Sequence, residues 1–453
     1  AAEISGAAFS EMAKRIDTLG NGYAVLAFNS LSWDRKDIVA VSAEGLERKI
    51  PYIAVDSDGE EMPVQIGADG VARFIGKVPS LGHSVFHIRK GRSDFPALHV
   101  SPFSMENDCV RVLFDRQGRI RKVYDKKHER DVLDPDSLGN RFIVFEDKMA
   151  STGEAWDIDI FYNDKPLETD GTFETIEVVE RGPVRAALRI SRTISRSRIS
   201  QDIILRADSP RIDFATTVDW GNEKDVLLKV AFPVNVRSEK ARYEIQFGSI
   251  ERPTHWNTPW DFARFEVPAQ KWADLSEGDY GVALLNDCKY GYDIRDNVMR
   301  LTLLRAPKVP GKTADVNKRH TFTYSVFPHA GDFSAGVVRE AYELNVPIRA
   351  MKVINSEGDL SPRIGWMSIS GSNVIVDTIK KAEDDSGIIA RLYEAHGRRG
   401  RHILETSLPV KHAFETDLME NVIGELKIRN GKIAVDIKPF EIRTVKLIMT
   451  DQD

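Results

Sequence analysis

The stretch Val110–Asp125, VRVLFDRQGRIRKVYD, decides the fold class of this chain. Val110–Phe114 is a short run rich in β-branched residues, Asp115-Arg116-Gln117-Gly118 is a turn, and Ile120–Tyr124 resumes the strand pattern, so the segment predicts a β-hairpin. The pattern extends in both directions. Upstream, YAVLAFN (23–29), KDIVAV (36–41), Val64–Ile66, Val71–Ile75 and Ser84–Ile88 are short, apolar and bounded by turn residues. Downstream, Ile203–Leu205, Ile212–Val218, Leu227–Phe232 and Val282–Asn286 continue the series, and RTISRSRIS (192–200) alternates as a strand with one solvated face does. Beyond Met351, VIVDT (374–378), IIARLYE (388–394), IAVDI (433–437) and RTVKLI (443–448) read as strands again. The chain is therefore all-β, which excludes a doubly wound sheet or a (β/α) barrel within these residues.

Two helices punctuate the strands. Ile4, Ala8, Met12 and Ile16 place an apolar stripe on a helix over residues 1–19, closed by Gly20-Asn21-Gly22. Ser334–Leu344 carries Val337, Val338, Ala341 and Leu344 on one face before Pro347, as a connector helix would. With 453 residues the chain calls for two to four domains at roughly 100–200 residues each. The expected divisions are 1–21 as the end of a helical bundle, 22–97 as a small β-sandwich, 98–333 as a large one, and 334–453 as the connector helix with a C-terminal sandwich.

A formal net charge of −6 with no polybasic tail gives no grounds for nucleic-acid or membrane-surface binding. No segment approaches the ~18 apolar residues of a membrane span. Only Cys109 and Cys288 occur, far apart and in no ligand spacing, so a reducing, cytoplasmic setting is the simpler reading. No signal peptide is visible, and the opening at Ala1 in a helix-like phrase is expected of a segment of something longer.

Nucleotide loops, zincin motifs, nucleophile elbows and paired CxxC motifs are missing from the sequence. His83 and His87 share one face of a strand, but no third ligand sits at a useful spacing, so no metal is expected here. Glycoside hydrolysis needs two carboxyls roughly 5–10 Å apart. Glu146/Asp147 and Asp157/Asp159 are the candidate pairs, and acids so close along a strand belong more often to wet faces. The richest clusters lie elsewhere. ERPTHWNTPWDFARFE (251–266) interleaves Trp256 and Trp260 with Arg252, His255, Asn257, Asp261 and Arg264, and LLNDCKYGYD (284–293) ends a strand in Asn286, Asp287, Lys289, Tyr290 and Asp293. Aromatic faces beside amides and charges suit a sugar, although the same residues also serve to stitch long loops to a sandwich edge.

These clusters carry a resemblance. VLAFNSLSWDRKDIV (25–39), ENDCVRVLFDRQGRIRKVYDKKHERDVL (106–133), GNRFIVFEDK (139–148), AWDIDIFY (155–162), ERPTHWNTPWDFARFEVPAQKWADLSE (251–277) and GVALLNDCKYGYD (281–293) are similar to the post-catalytic region of family 38 glycoside hydrolase α-mannosidases, the cytosolic/vacuolar and bacterial branch above all. The resemblance runs through residues 1 to about 445. It implies several β-sandwiches, including a large mutarotase-like super-sandwich, beside a separate catalytic barrel that holds a divalent metal, usually zinc, and the carboxyls of a retaining mechanism. None of those ligands or acids maps onto this chain, so catalytic residues are expected to be absent from it. Trp156 and Asp157, and the loop with Asp287, Lys289 and Tyr290, are similar to segments that line the substrate cleft, while Glu154 departs from the Asp that many relatives carry. His255, Trp256, Asn257 and Trp260 are the further carbohydrate contacts. The implied partners are a mannose-containing oligosaccharide and the N-terminal catalytic domain, with self-association through the face that meets it. The alternatives are a free-standing carbohydrate-binding module and an enzyme self-sufficient on the large sandwich.

Overall fold

A computed structural model describes residues 2–92, 95–149, 153, 155–307 and 316–450. Strands dominate, as the sequence pattern requires, and the chain divides into two compact units: residues 97–345 form one, and residues 1–96 together with 346–453 form the other. Among the described residues no helix is long and apolar enough to cross a membrane.

In the 97–345 unit, a nine-stranded and a six-stranded sheet enclose one apolar core. Period-two alternation builds it. Along Ser197–Arg206, Ile199, Ile203 and Leu205 point inward while Arg198 and Asp202 point away. Phe214 stacks on Tyr324 at 5.1 Å and lies 5.5 Å from Phe232 on the facing sheet. The hairpin read from VRVLFDRQGRIRKVYD pairs Val110–Phe114 with Ile120–Asp125 in a five-stranded sheet whose apolar side joins the same core. Four polar side chains inside the core pair with one another. Asn140 donates to Gln201 Oε1 at 2.7 Å, Gln201 donates to Thr216 Oγ1 at 2.7 Å and to Tyr324 Oη at 2.8 Å, and the Tyr324 hydroxyl donates to Asn140 Oδ1 at 2.6 Å.

The other unit is discontinuous in sequence. Its eight-stranded sheet includes Tyr23–Asn29 paired on one side with Gly82–Lys90 and on the other with Arg349–Val353. Arg363–Gly365 also adds to Gly82–Lys90, and its approach demands glycine, since a Cβ on Gly82 would collide with the Ile364 carbonyl. Four- and five-stranded sheets then pack Met367, Val376, Leu392, Leu404 and Leu447 between them.

Three local expectations change. The first helix spans Ala2–Ala13, because Ile16 leaves it to bridge Leu360 and Asp17 N–H donates to the Leu360 carbonyl at 2.8 Å. The alternating run RTISRSRIS is two strands, Arg185–Ile194 and Ser197–Arg206, joined at Ser195, whose φ of 52° makes the turn. The connector helix is Val337–Asn345, entered from a 3-10 turn through Gly336 at φ 119°, and it packs on the strands Trp272–Ser276 and Tyr280–Asn286 of the unit that precedes it. The chain therefore passes from one unit to the other after this helix, at residue 346, and Arg349–Val353 joins the N-terminal sheet.

Phe214 is fully buried against two rings, so Phe214→Ala should cost about 3–5 kcal/mol of unfolding free energy in urea.

Candidate functional site

The site begins with a lysine in an apolar strand. In Val226–Pro233, VLLKVAFP, Val226, Leu228, Val230 and Phe232 join the inter-sheet core, while Leu227, Lys229 and Ala231 face the opposite way. Two loops roof that outer face. One closes in the 3-10 turn Ile160–Asp164, capped by Asp159, and sets Tyr162 edge-on to Phe145 at 5.2 Å. The other contains the short helix Pro259–Phe262, whose N-cap Thr258 accepts from Asp261 N–H at 3.2 Å, and delivers Phe265 and Glu266.

Lys229 is wholly buried, and its ammonium contacts Glu266 and Asp293 and donates to Tyr162 Oη at 3.3 Å. Tyr162 donates to Glu266 Oε1 at 2.5 Å. Arg300 binds Asp293 Oδ2 at 2.6 Å through Nε and Asn163 Oδ1 at 2.8 Å through Nη2. Two cations thus face two carboxyls under the loops, the condition for keeping such charges out of water. Burial lifts the Glu266 carboxyl to about 6, against the pull of Lys229. Burial also pushes Asp293 upward, but Lys229 and Arg300 outweigh it and hold that carboxyl below its ordinary value.

Above the cluster lies a cleft of about 480 Å³ lined by Phe161, Asn163, Trp256, Phe262 and Arg295 among others. The Arg295 guanidinium sits 4.1 Å from the Trp256 ring centroid, and Phe262 meets that ring edge-on at 5.8 Å. A second hollow of about 670 Å³ adjoins it, with His255, Asn257 and Asn297 in its wall and Asp296 common to both.

The residues singled out in the sequence fall into two groups. Trp256 lines the first hollow, His255 and Asn257 the second, and Trp260 stands 75% exposed on the short helix. Trp156, 80% exposed, and Asp157 belong to the loop that leads to Tyr162, and the Asp157 carbonyl accepts from Arg305 Nη2 at 2.5 Å. Asp287, Lys289 and Tyr290 are placed apart from these. Asp287 accepts from Thr323 N–H at 2.9 Å and lines a 280 Å³ hollow on the outer face of the nine-stranded sheet, Lys289 Nζ lies 4.4 Å from the Phe322 ring centroid, and Tyr290 is exposed. Among the described residues the two groups share no hydrogen bond, ring contact or hollow.

The candidate acid pairs are committed elsewhere. Asp147 is held by Arg305 at 2.5 Å, Glu146 by Lys148 and Lys165 at 2.6 and 2.9 Å, and Asp159 caps its turn. Glu154 lies outside the described residues. His83 and His87 each set Nε2 3.0 Å from a main-chain carbonyl, of Ser361 and Thr18, so those nitrogens serve as donors and not as ligands. Among the described residues no group of three or more His, Cys, Asp or Glu could hold a metal ion, and the donor set does not fit one. Cys109 and Cys288 are unbridged.

Two family models match in the order that the fold presents them. Residues 105–313 match the glycosyl hydrolases family 38 C-terminal domain, and residues 373–445 match the family's C-terminal beta sandwich domain. The chain belongs to glycosyl hydrolase family 38. It is 35% identical over 434 residues to Alpha-mannosidase 2C1 of Homo sapiens and 36% identical over 460 residues to Alpha-mannosidase G of Dictyostelium discoideum, in each case over 94% of this chain and 40% of the relative. The chain thus spans about two fifths of the length of these curated relatives. An alpha-mannosidase from Enterococcus faecalis V583 shares the fold, with a TM-score of 0.77 at 17% identity over 97% of this chain and 58% of that one.

Lys229, Glu266, Arg300 and Tyr162 were not singled out in the sequence, and Asp293 was read only as one polar residue of LLNDCKYGYD. The available signal was the lone lysine in VLLKVAFP, a charge with no place on a strand apolar on both faces unless acids come to it. Lys229→Ala, which leaves both carboxyls buried without that cation, should cost about 3–5 kcal/mol in urea unfolding. The folded unit also holds the Glu266 proton more tightly than the unfolded chain, with a pKa of about 6 against 4.5. That contribution is full below pH 4.5 and is lost as pH rises through about 6. Between pH 4 and pH 7 the unmodified chain should therefore lose about 2 kcal/mol of unfolding free energy relative to Glu266→Gln.

Proposed function

We propose that this chain is the post-catalytic β region of an α-mannosidase that removes terminal α-mannose from oligosaccharides, and that it acts as scaffold and as one wall of the substrate cleft. The observation that carries this reading is the likeness to α-mannosidases along 94% of the chain, which takes up only 40% of those proteins. The residues that line the clefts here are aromatics, amides and ion-paired side chains, a set suited to holding a sugar. In this reading bond cleavage by the retaining mechanism, and the divalent metal, zinc, that grips mannose hydroxyls, belong to a catalytic domain outside these residues. Trp156 and Asp157 stand at the sugar, and Asp287, Lys289 and Tyr290 form a second substrate-proximal edge. A cytoplasmic location completes the reading, supported by two unbridged cysteines.

The test is hydrolysis of an aryl α-mannoside by the purified chain. No turnover above the uncatalysed rate is expected. Turnover that disappears in Asp157→Asn or Asp287→Asn would overturn the reading and make the chain an enzyme in its own right. Trp156 and Trp260, 80% and 75% exposed, with Phe161 and Phe262 beside them, also predict concentration-dependent self-association of the isolated chain in sedimentation velocity. A monomer at every concentration would show that this aromatic surface is adapted to water.

A further inference from the structure

The outer face of the nine-stranded sheet carries a buried histidine and a buried aspartate that the cleft does not use. In Trp272–Ser276, Ala273 and Leu275 join the inter-sheet core, so Trp272, Asp274 and Ser276 turn to the opposite face. In Lys318–Ala330, Phe322, Tyr324 and Val326 join that core, which turns Phe327 and His329 outward as well. The strand Tyr280–Asn286 runs between the two and places Gly281 opposite His329, where a Cβ would stand 2.5 Å from the imidazole. Across that gap His329 Nε2 reaches Asp274 Oδ1 at 2.8 Å, with neither side chain more than 3% exposed.

Both ring nitrogens face atoms that can only accept. Nδ1 lies 3.2 Å from the Ala330 carbonyl, and Nε2 meets a carboxylate whose other oxygen already accepts from Ser276 Oγ at 2.5 Å. Only the imidazolium donates to both at once. The charged groups around the ring are Asp274 on the strand side, Asp332 at the start of the following turn, and Arg242, which stands opposite Asp274 in register and is itself paired with Glu251. Burial disfavours the charged ring, but Asp274, the Ala330 carbonyl and Asp332 outweigh it and hold the imidazole above its ordinary 6.5.

The pair sits at the root of the connector. Ala330 ends its strand, and Gly331 follows at φ 63° with its N–H donating to the Asp279 carbonyl at 2.7 Å. Asp332 then caps the 3-10 turn that stacks Phe333 on Trp272 at 5.5 Å and sets it 4.5 Å from the Arg242 guanidinium. The helix Val337–Asn345 continues from that turn over the strands that hold Asp274 and Gly281. The carbonyl that His329 Nδ1 holds is therefore the one at which the chain leaves the sheet.

We propose that His329 and Asp274 form a proton-operated latch, in which the imidazolium fastens Ala330, and with it the 331–345 segment, to the sheet. Asp274 keeps the Nε2 proton in place, so the proton lost to water is the one on Nδ1, and the Ala330 carbonyl loses that donor. A group whose folded pKa is raised adds stability that is whole below 6.5 and disappears as pH rises through the folded value, so the latch opens on the alkaline side.

Histidine-selective NMR titration of the full chain tests it, together with hydrogen exchange of residues 331–345 from about pH 6 to about pH 9. The His329 resonance, assigned by its loss in His329→Gln, should titrate above 6.5, and Asp274→Asn should bring its midpoint down. Exchange of the 331–345 amides, taken relative to His329→Gln so that ordinary base catalysis cancels, should speed up through the same midpoint. His329→Asn is the reference chain should His329→Gln fold poorly. Titration at or below 6.5, a midpoint that Asp274→Asn leaves in place, or connector amides that respond to pH alike with and without His329 overturns the proposal.

Discussion

The buried ammonium of Lys229 is the constraint on which the cleft depends. An isolated charge in the middle of an apolar strand is untenable, and what makes this one stable is that Asp293 comes from a strand of the same sheet while Glu266 and Tyr162 come from the two loops. The loops lay Tyr162, Ile158 and Phe265 on Phe145 and Leu227 of the sheet, and the ion pairs add direction to that apolar contact. By meeting Lys229 and Arg300 they become fixed to the sheet, and the side chains above them, Asn163 on one loop and Trp256 on the other, acquire defined positions over the strand.

A second polar network lies on the core side of the same unit and works by a different principle. The ring of Asn140, Gln201, Thr216 and Tyr324 carries no formal charge, and its donors and acceptors meet one another between the sheets. Such a ring sets the register of strands far apart in sequence, because a slip by one residue would leave amides stranded among Phe214, Phe232 and Ile203. One network orients the sheets to each other, and the other orients the loops to a sheet.

The all-β class was legible because alternation in segments such as Ser197–Arg206 is a local property, and so were the turn at 115–118 and the aromatic richness of 251–266. What alternation could not convey was partnership. Arg349–Val353 looks like any short strand, and nothing within it says that it closes a sheet begun at Tyr23. Ile16 has the spacing of a helical residue, yet its pairing with Leu360 prevails. At the site, Trp256 announced itself by type, whereas Lys229, Asp293 and Glu266 are ordinary residues made unusual only by convergence. Asp287 and Lys289 looked equivalent to the Trp256 cluster in composition, and only their contacts with Thr323 and Phe322 of the nine-stranded sheet set them apart from it.

The discontinuous unit has a consequence for how the protein comes into being. Thr18 donates to the Ile354 carbonyl at 2.8 Å across 336 positions of chain, and the strand Tyr23–Asn29 finds one of its two neighbours only at Arg349–Val353. A ribosome therefore releases the first sheet with a bare edge and must deliver the whole 97–345 unit before the closing strand emerges. The intervening unit, whose contacts lie within its own segment, can collapse while the earlier strands wait. The strand Arg349–Val353 then acts as a clasp, and until it emerges the edge of Tyr23–Asn29 that it covers stands open on the nascent chain.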